Sequence, residues 1–273
     1  MGRGSLPSGK LIDDMFLYLD AFLELDEKTI IEARRLNRRI LDSAGGTVDF
    51  SQGTIPHITL YMGYFPIDQE RAVASALSVL ASLCSPFPIT IGKSFRSTSK
   101  ASSPPSSIFS IPCISSTPVT TNSPPPDPTP GKLNFETFET GLKTDMETGL
   151  EISPEGYLFW RVLLDAPLAR LHKAVVEVLD PLRNGAVRPK FLDLIDQYKP
   201  HEQENIRRYG FPWVLEDFSP HITLGAVEPR LTKEVGQNLH PPERTFPARA
   251  LGLGTVGNSG VVRPGQRFSF ITT

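Results

Sequence analysis

The chain has 273 residues, of which 39% are hydrophobic and 21% are charged, and its formal net charge at pH 7 is −2. This length suffices for one large or two small domains with a sizeable core. The charge balance excludes a globally basic nucleic-acid-binding protein, so any contact with RNA would come from a local basic cleft. Cys84 and Cys113 are the only cysteines and lack the spacing of metal ligands, which indicates a reducing compartment and no zinc site.

Neither a targeting signal nor a membrane span is predicted. Residues 1–10 carry charges but no apolar run of the length that a signal peptide needs. No stretch of the sequence approaches the roughly 20 apolar residues that cross a bilayer. We therefore expect a cytoplasmic monomer that binds neither membranes nor DNA.

The first part of the chain alternates apolar runs with helical patterns. A buried strand is predicted within 11–25, followed by a helix over 27–41 whose apolar residues recur near a period of 3.6. A strand over 54–64, a helix over 68–83 and a strand over 87–95 come next. Together these elements predict a β-α-β-α-β lobe.

The composition changes abruptly after this lobe. Of the 34 residues from 97 to 130, 24 are Ser, Thr or Pro. Such a segment buries too little apolar surface to offset the entropy lost on ordering it. We predict a disordered or loosely draped insertion, with a Pro-rich partner-binding strip as the alternative. Residues 133–152 allow an edge hairpin.

The last part of the chain repeats the element order of the first. A strand over 157–164 and a helix over 167–182 lead into a polar, partly helical stretch over 190–210. The remaining predicted elements are a strand over 218–227, a helix over 231–239, and strands over 244–252 and 267–272. The predicted organisation is a first lobe over 11–96, an insertion over 97–152 and a second lobe over 153–273, which form one bilobal domain.

One pentapeptide occurs once in each lobe. The sequence Pro-His-Ile-Thr-Leu is found at 56–60 and again at 220–224, and these two copies hold two of the five histidines. In a strand successive side chains alternate faces, so the His and Thr of each copy share one face while Ile and Leu anchor the other. An isolated copy is an ordinary buried strand. The exact repetition indicates a duplicated unit that contributes to one shared site.

The paired motif supplies the groups that phosphoryl chemistry needs. His57 and His221 suit the roles of acid and base because an unperturbed imidazole has a pKa near 6.5. The hydroxyls of Thr59 and Thr223 are candidates for binding phosphate oxygens. A cationic side chain is also expected at the rim, and the sequence offers Lys93, Arg96 and Arg263.

Two His-x-Thr-hydrophobic strands, one per lobe, resemble the two-histidine phosphoesterase superfamily. The resemblance covers most of 11–95 and 155–272 and is closest to the group of 2′-5′ RNA ligases and RNA 2′,3′-cyclic phosphodiesterases, often called LigT-like. It implies an α+β fold of two pseudo-symmetric lobes, each with an antiparallel sheet packed by helices, and an active-site groove between the lobes.

The resemblance also implies a chemistry without metal or other cofactors. His57 would donate a proton to the leaving oxygen, His221 would activate water, and Thr59 and Thr223 would bind the phosphate. The implied substrate is an RNA end or a small cyclic nucleotide, most simply a 2′,3′-cyclic phosphate that is hydrolysed, or reversibly formed, at the ribose 2′ position.

Several alternatives remain open. The segment 209–218 resembles a less characterised branch associated with bacterial phosphonate-utilisation operons, which would favour a sugar or nucleotide phosphate as substrate. Trp213, with Phe211 and Tyr209, would then stack on a base or instead pack beneath the loop. A 2′-5′ oligonucleotide is a further candidate substrate. A nucleotide-binding module without turnover, or a scaffold that binds partners through 97–130, would explain the chain without catalysis.

Overall fold

The computed structural model describes residues 15–92, 143–145, 149–153, 155–257 and 260–271. The predicted insertion over 97–130, together with Lys93, Arg96 and Cys113, lies outside these residues. The strands are β1 (Phe16–Leu23), β2 (Ile58–Pro66), β3 (Phe87–Ile91), β4 (Lys143–Asp145), β5 (Leu150–Ile152), β6 (Tyr157–Arg161), β7 (His221–Ala226), β8 (Arg244–Ala248), β9 (Ala250–Val256) and β10 (Val262–Ser269). The helices are α1 (Glu27–Ala44), α2 (Glu70–Ala81), α3 (Ala166–Leu179), α4 (Pro189–Asp193), α5 (Pro200–Tyr209) and α6 (Thr232–Gln237).

The strands form an antiparallel α+β architecture, which confirms the predicted fold class. Eight of them make one sheet in the order β10-β9-β1-β2-β7-β6-β5-β4, and β3 pairs with β8 in a second, two-stranded sheet. The large sheet consists of two four-stranded halves that meet at β2 and β7. Ile58 pairs with Ile222 at this junction, so the two motif strands lie side by side at the centre.

Each half carries the same irregularity opposite its motif. The pairing of β1 with β2 shifts register at Phe22 and passes over Leu60. The pairing of β6 with β7 shifts register at Phe159 and passes over Leu224, the residue at the same place in the second motif. Bulges re-aim side chains and are common beside functional sites. This repeated bulge supports the duplication that the sequence motif indicates.

The strand partners differ from the sequence prediction in three respects. The strand predicted over 244–252 is divided at Arg249 into β8 and β9, which belong to different sheets. The third strand of the predicted β-α-β-α-β lobe, β3, leaves the large sheet to pair with β8. Strand β9, from the predicted second lobe, pairs with β1, so the sheet crosses the predicted lobe boundary at residue 153. Long-range pairing of this kind depends on which strand edges are open in the folded chain.

The two helices that follow β1 and β6 begin in the same way. Asp26 accepts a hydrogen bond from the Thr29 amide at the start of α1, and Asp165 accepts one from the Leu168 amide at the start of α3. Such caps satisfy amides that have no partner within the helix. The helices then cross between the halves, because α1 contacts β7 and α3 contacts β2.

Candidate active site

The two motifs place their polar side chains on one face of the central strands. Their apolar members Ile58, Leu60, Ile222 and Leu224 are all at most 1% exposed on the other face, as the alternation predicts. The pairing of Ile58 with Ile222 sets the antiparallel register. Extended by one residue in each direction, this register places His57 opposite Thr223 and Thr59 opposite His221.

The junction between the halves is braced by one polar side chain from each crossing helix. Where the first bulge leaves Leu60 unpaired, its carbonyl accepts a hydrogen bond from His172 of α3, at 2.7 Å. The carbonyl of Leu224 at the second bulge accepts one from Asn37 of α1, at 2.8 Å. The other ring nitrogen of His172 accepts a bond from the Leu215 amide, also at 2.7 Å. His172 is therefore a buried structural histidine.

Both ring nitrogens of His57 face oxygen acceptors. Nδ1 lies 2.9 Å from the carbonyl oxygen of Ile55, and Nε2 lies 3.1 Å from Oδ2 of Asp20. A carbonyl and a carboxylate accept but do not donate, so this arrangement favours the doubly protonated imidazolium. Burial lowers the pKa of His57, but the hydrogen bond and the charge of Asp20 raise it by more, and the net result is a raised pKa.

Asp20 joins the two polar members of the first motif. The same Oδ2 atom that faces His57 accepts a hydrogen bond from the Thr59 hydroxyl at 2.8 Å. Burial raises the pKa of this fully enclosed carboxyl group by more than the hydrogen bond and charge of His57 and the hydrogen bond of Thr59 lower it, so the net result is a raised pKa. Because His57 and Asp20 are in direct contact, they titrate as one coupled pair.

His221 has a different environment. Its Nδ1 lies 2.8 Å from the carbonyl oxygen of Ser219, which fixes the proton on Nδ1 and leaves the Nε2 lone pair available. Its ring packs on Phe159, with the centroids 4.0 Å apart. Burial, with a smaller contribution from the charge of His57, lowers the pKa of His221 to about 4 against the raising effect of the hydrogen bond to Ser219. His221 is therefore a neutral imidazole at pH 7.

A cationic side chain lies next to the second motif. Arg161 of β6 pairs with His221 across the strands, and its Nε atom is 3.4 Å from Oε1 of the buried Glu151. The sequence analysis did not single out Arg161. Its position in an apolar strand two residues after Phe159 is the signal that could have indicated it.

A small cavity of about 40 Å³ lies beside the motifs and is lined by His57, Thr223 and Tyr157. It adjoins a larger cavity of about 500 Å³, since Val261 lines both. Arg263, which the sequence analysis predicted to bind substrate, lines the larger cavity. Because Arg263 lines this adjoining cavity and not the small cavity beside His57, it is a candidate for binding the distal part of a substrate.

The predicted aromatic binding residues lie in the segment that precedes the second motif. Trp213 is 46% exposed and contacts Phe211 edge to face, with ring centroids 5.4 Å apart. Phe211 is buried, and the Tyr209 carbonyl accepts a hydrogen bond from the hydroxyl of Tyr61. Phe211 and Tyr209 therefore pack beneath the loop, which was one of the two sequence interpretations. Lys93 lies outside the described residues.

Asp20 is the site residue that sequence reasoning missed most clearly. It is 0% exposed within the otherwise apolar strand β1, whose sequence is FLYLDAFL. An aspartate is rarely buried unless it is paired, so its presence in that strand was a detectable signal.

The described residues contain neither a metal-binding cluster nor a membrane-spanning helix. The His, Cys, Asp and Glu side chains within the described ranges form no group of three or more that could hold a metal ion. Among the same residues, no helix combines the length and the apolar composition needed to span a membrane.

Comparison with known proteins gives partial matches. A family model described as "Protein of unknown function (DUF1045)" matches residues 160–269, which is less than half of the chain. No curated protein matches significantly.

Similar solved structures include TT0787 of Thermus thermophilus, with 13% identity, a TM-score of 0.46 and coverage of 93% of this chain and 98% of that one. Another is E. coli LigT in its apo form, with 10% identity, a TM-score of 0.44 and coverage of 94% and 99%. A third is a protein described as a phosphoesterase, with 12% identity, a TM-score of 0.37 and the same coverage. LigT gives its name to the group that the paired motif resembles. The function proposed below rests on the site and not on these likenesses.

Proposed function

We propose that the protein is a two-histidine phosphoesterase that acts on a 2′-linked phosphodiester without a metal ion. The observation that carries this proposal is the juxtaposition of both motifs on the central strands, with all four polar side chains on one face. Two imidazoles and two hydroxyls on one surface match the needs of an in-line displacement at phosphorus. The preferred substrate is a nucleoside or RNA-terminal 2′,3′-cyclic phosphate.

His57 and His221 differ in the way that acid and base must differ. His57 has acceptors on both ring nitrogens and a raised pKa, which suits a proton donor. Nε2 of His221 accepts no hydrogen bond from any described residue, and the pKa of His221 is lowered. Both properties suit a proton acceptor. Pairs of titratable groups whose environments separate their pKa values are a general mark of acid and base assignments.

The proposed reaction is one balanced displacement. Nε2 of His221 takes a proton from water as its oxygen bonds to phosphorus, and the bond from phosphorus to the ribose 3′ oxygen breaks. The Nε2–H of His57, which faces Oδ2 of Asp20 in the structure, turns to that leaving oxygen and gives it the proton, so a 2′-phosphate forms. One histidine has gained a proton and the other has lost one, and exchange with solvent restores both.

The phosphate needs donors for its non-bridging oxygens, and Thr223 and Arg161 are the best placed. Thr223 lies opposite His57 in the register and lines the same small cavity. Arg161 brings a positive charge next to His221. Thr59 donates to Asp20, so its proposed role in phosphate binding requires that its hydroxyl turn toward the substrate.

The test is hydrolysis of the four nucleoside 2′,3′-cyclic monophosphates in excess EDTA, with the product identified by phosphorus NMR. We expect turnover to a 2′-phosphate that His57→Ala and His221→Ala each reduce by about 10²- to 10⁴-fold. His201→Ala is the matched control, because His201 is half exposed and pairs with Asp217 outside the motifs. Full activity in either motif variant, or turnover that EDTA abolishes, contradicts the proposal.

A negative result with all four nucleotides would direct the same assay to other substrates. The candidates are a longer RNA end, a 2′-5′ oligonucleotide and a small sugar phosphodiester, and the reverse ligation is tested with the corresponding ends. Tight nucleotide binding without turnover would indicate the non-catalytic binding module. We propose further that the protein acts as a monomer in the cytoplasm.

A further inference from the structure

We propose that Asp20 is a positioning residue that fixes the direction of proton transfer in the site, by holding His57 in its protonated form and orienting Thr59. This inference rests on the proposed function and adds a residue that lies outside both motifs. It also assigns the two histidines, which are equivalent in sequence, to different roles.

The contacts of Asp20 are directed entirely at the first motif. Its Oδ2 atom is 3.1 Å from Nε2 of His57 and 2.8 Å from the hydroxyl of Thr59. Its Oδ1 atom has no hydrogen-bond partner among the described residues. A carboxylate that served only the stability of the sheet would be expected to have both oxygens satisfied.

The second half shows what this position looks like without the carboxylate. Asp20 pairs with Met62, five residues after His57, and Tyr157 pairs with Ala226, five residues after His221. Tyr157 is therefore the counterpart of Asp20. Its ring stacks on Phe159 and makes no described hydrogen bond to His221.

The other charged groups around His57 do not reproduce this effect. On β7 the nearest titratable group is His221, whose charge would oppose protonation of His57. Tyr18, two residues before Asp20 on β1, lies under the guanidinium of Arg188, 4.2 Å from its ring centroid. Asp49 of the loop before β2 and Arg263 of β10 line the larger cavity. Asp20 is thus the carboxylate in contact with the ring.

A purely structural ion pair is the competing explanation. Replacing a buried ion pair by apolar side chains is often neutral or stabilising, so burial of Asp20 in an apolar strand is not favourable for folding by itself. Asp20 also contacts the two motif side chains that act on the substrate in the proposed mechanism. A structural role would leave the protonation of His57 irrelevant to turnover, and this difference can be measured.

The experiment follows the five histidines by nitrogen-edited NMR during a pH titration of the full chain. In the wild type, His57 is expected to titrate above 6.5, the ordinary value for histidine. Asp20→Asn keeps the shape and removes the charge, and should lower that midpoint by about one pH unit or more. Asp217→Asn is the matched control, since it changes the other Asp–His pair found among the described residues, at His201, and should leave His57 unchanged.

A second readout separates positioning from structure. The alkaline limb of kcat/KM for a cyclic nucleotide should move to lower pH in Asp20→Asn, while the acid limb stays in place. A wild-type His57 that titrates below 6.5 overturns the inference even if the variant does not fold. An Asp20→Asn variant that folds and leaves the His57 midpoint unchanged also overturns it.

The two proposals fail differently. A wild-type enzyme that turns over, depends on both histidines and shows no effect of Asp20→Asn on the His57 titration refutes only the role of Asp20. A wild type that neither binds nor hydrolyses any candidate phosphodiester refutes the proposed function, and with it the positioning role of Asp20.

Discussion

The two halves of the large sheet share a backbone and differ in charge. Each presents a His and a Thr on a central strand, each ring donates from Nδ1 to the carbonyl two residues earlier, and each has a bulge opposite its motif. The strand beside the first motif carries Asp20, and the strand beside the second carries Tyr157 and Arg161. Duplication thus supplied two equivalent histidines, and neighbouring strands gave them opposite tendencies to hold a proton.

The largest expected effect comes from removing both histidines together. If His57 and His221 act in one proton-transfer step, the double variant His57→Ala/His221→Ala should be hardly slower than the worse single variant. Measurement of kcat/KM for the four proteins checks this. If the losses of the two single variants multiply in the double variant, the two histidines contribute independently. This result would contradict their proposed action in one step.

A smaller loss is expected from Arg161. Removing its charge with Arg161→Gln should lower kcat/KM for a cyclic phosphate by about 10- to 100-fold, the value of a charge-assisted hydrogen bond. Because the variant also leaves the buried Glu151 without its cation, Glu151→Gln is needed as the control. An unchanged kcat/KM in Arg161→Gln would show that Arg161 does not contribute to phosphate binding.

The braces at the two bulges should contribute to stability and not to chemistry. Asn37→Leu leaves the carbonyl of Leu224 without its side-chain donor, and the expected cost in free energy of unfolding is about 1–3 kcal/mol. Urea denaturation measures this cost. His172→Gln tests the matching brace at Leu60, and a negligible cost in both variants would contradict the structural role assigned to the pair.

A further effect on stability should appear in its dependence on pH. Burial lowers the pKa of His172 to about 4, against the raising effect of its bond to Leu60, so the unfolded chain binds more protons than the folded chain between pH 6.5 and 4. The contribution of His172 to stability is therefore present above pH 6.5 and decreases as the pH falls toward 4. The loss should be shallower in His172→Gln, and an equal loss in both proteins would contradict this assignment.

The local features of the fold could be predicted from the sequence, whereas the strand partners could not. Alternation placed Ile58 and Leu60 in the core and His57 and Thr59 on the other face, because that pattern depends only on strand geometry. The pairing of β9 with β1 joins residues more than 200 positions apart. It depends on which strand edge is open in the folded chain, and the sequence pattern carries no signal for that.

The site was predictable in part for the same reason. The duplicated pentapeptide marks both histidines and both threonines, and the structure brings the two copies together. Asp20 lies outside the motif, and its contact with His57 and Thr59 follows from the register of β1 against β2. Trp213 was predicted from its chemistry to stack on a base, and in the structure its partly exposed ring contacts Phe211.

The pH dependence of kcat/KM tests the account most directly. A bell-shaped profile is expected for the wild type with a cyclic nucleotide, since His221 must be neutral and His57 protonated in the free enzyme. The acid limb should fall near pH 4, and the alkaline limb should lie above pH 6.5. A profile in which both limbs lie near pH 6.5, or one in which kcat/KM does not change with pH, would contradict the claim that the two halves hold their histidines in opposite protonation states.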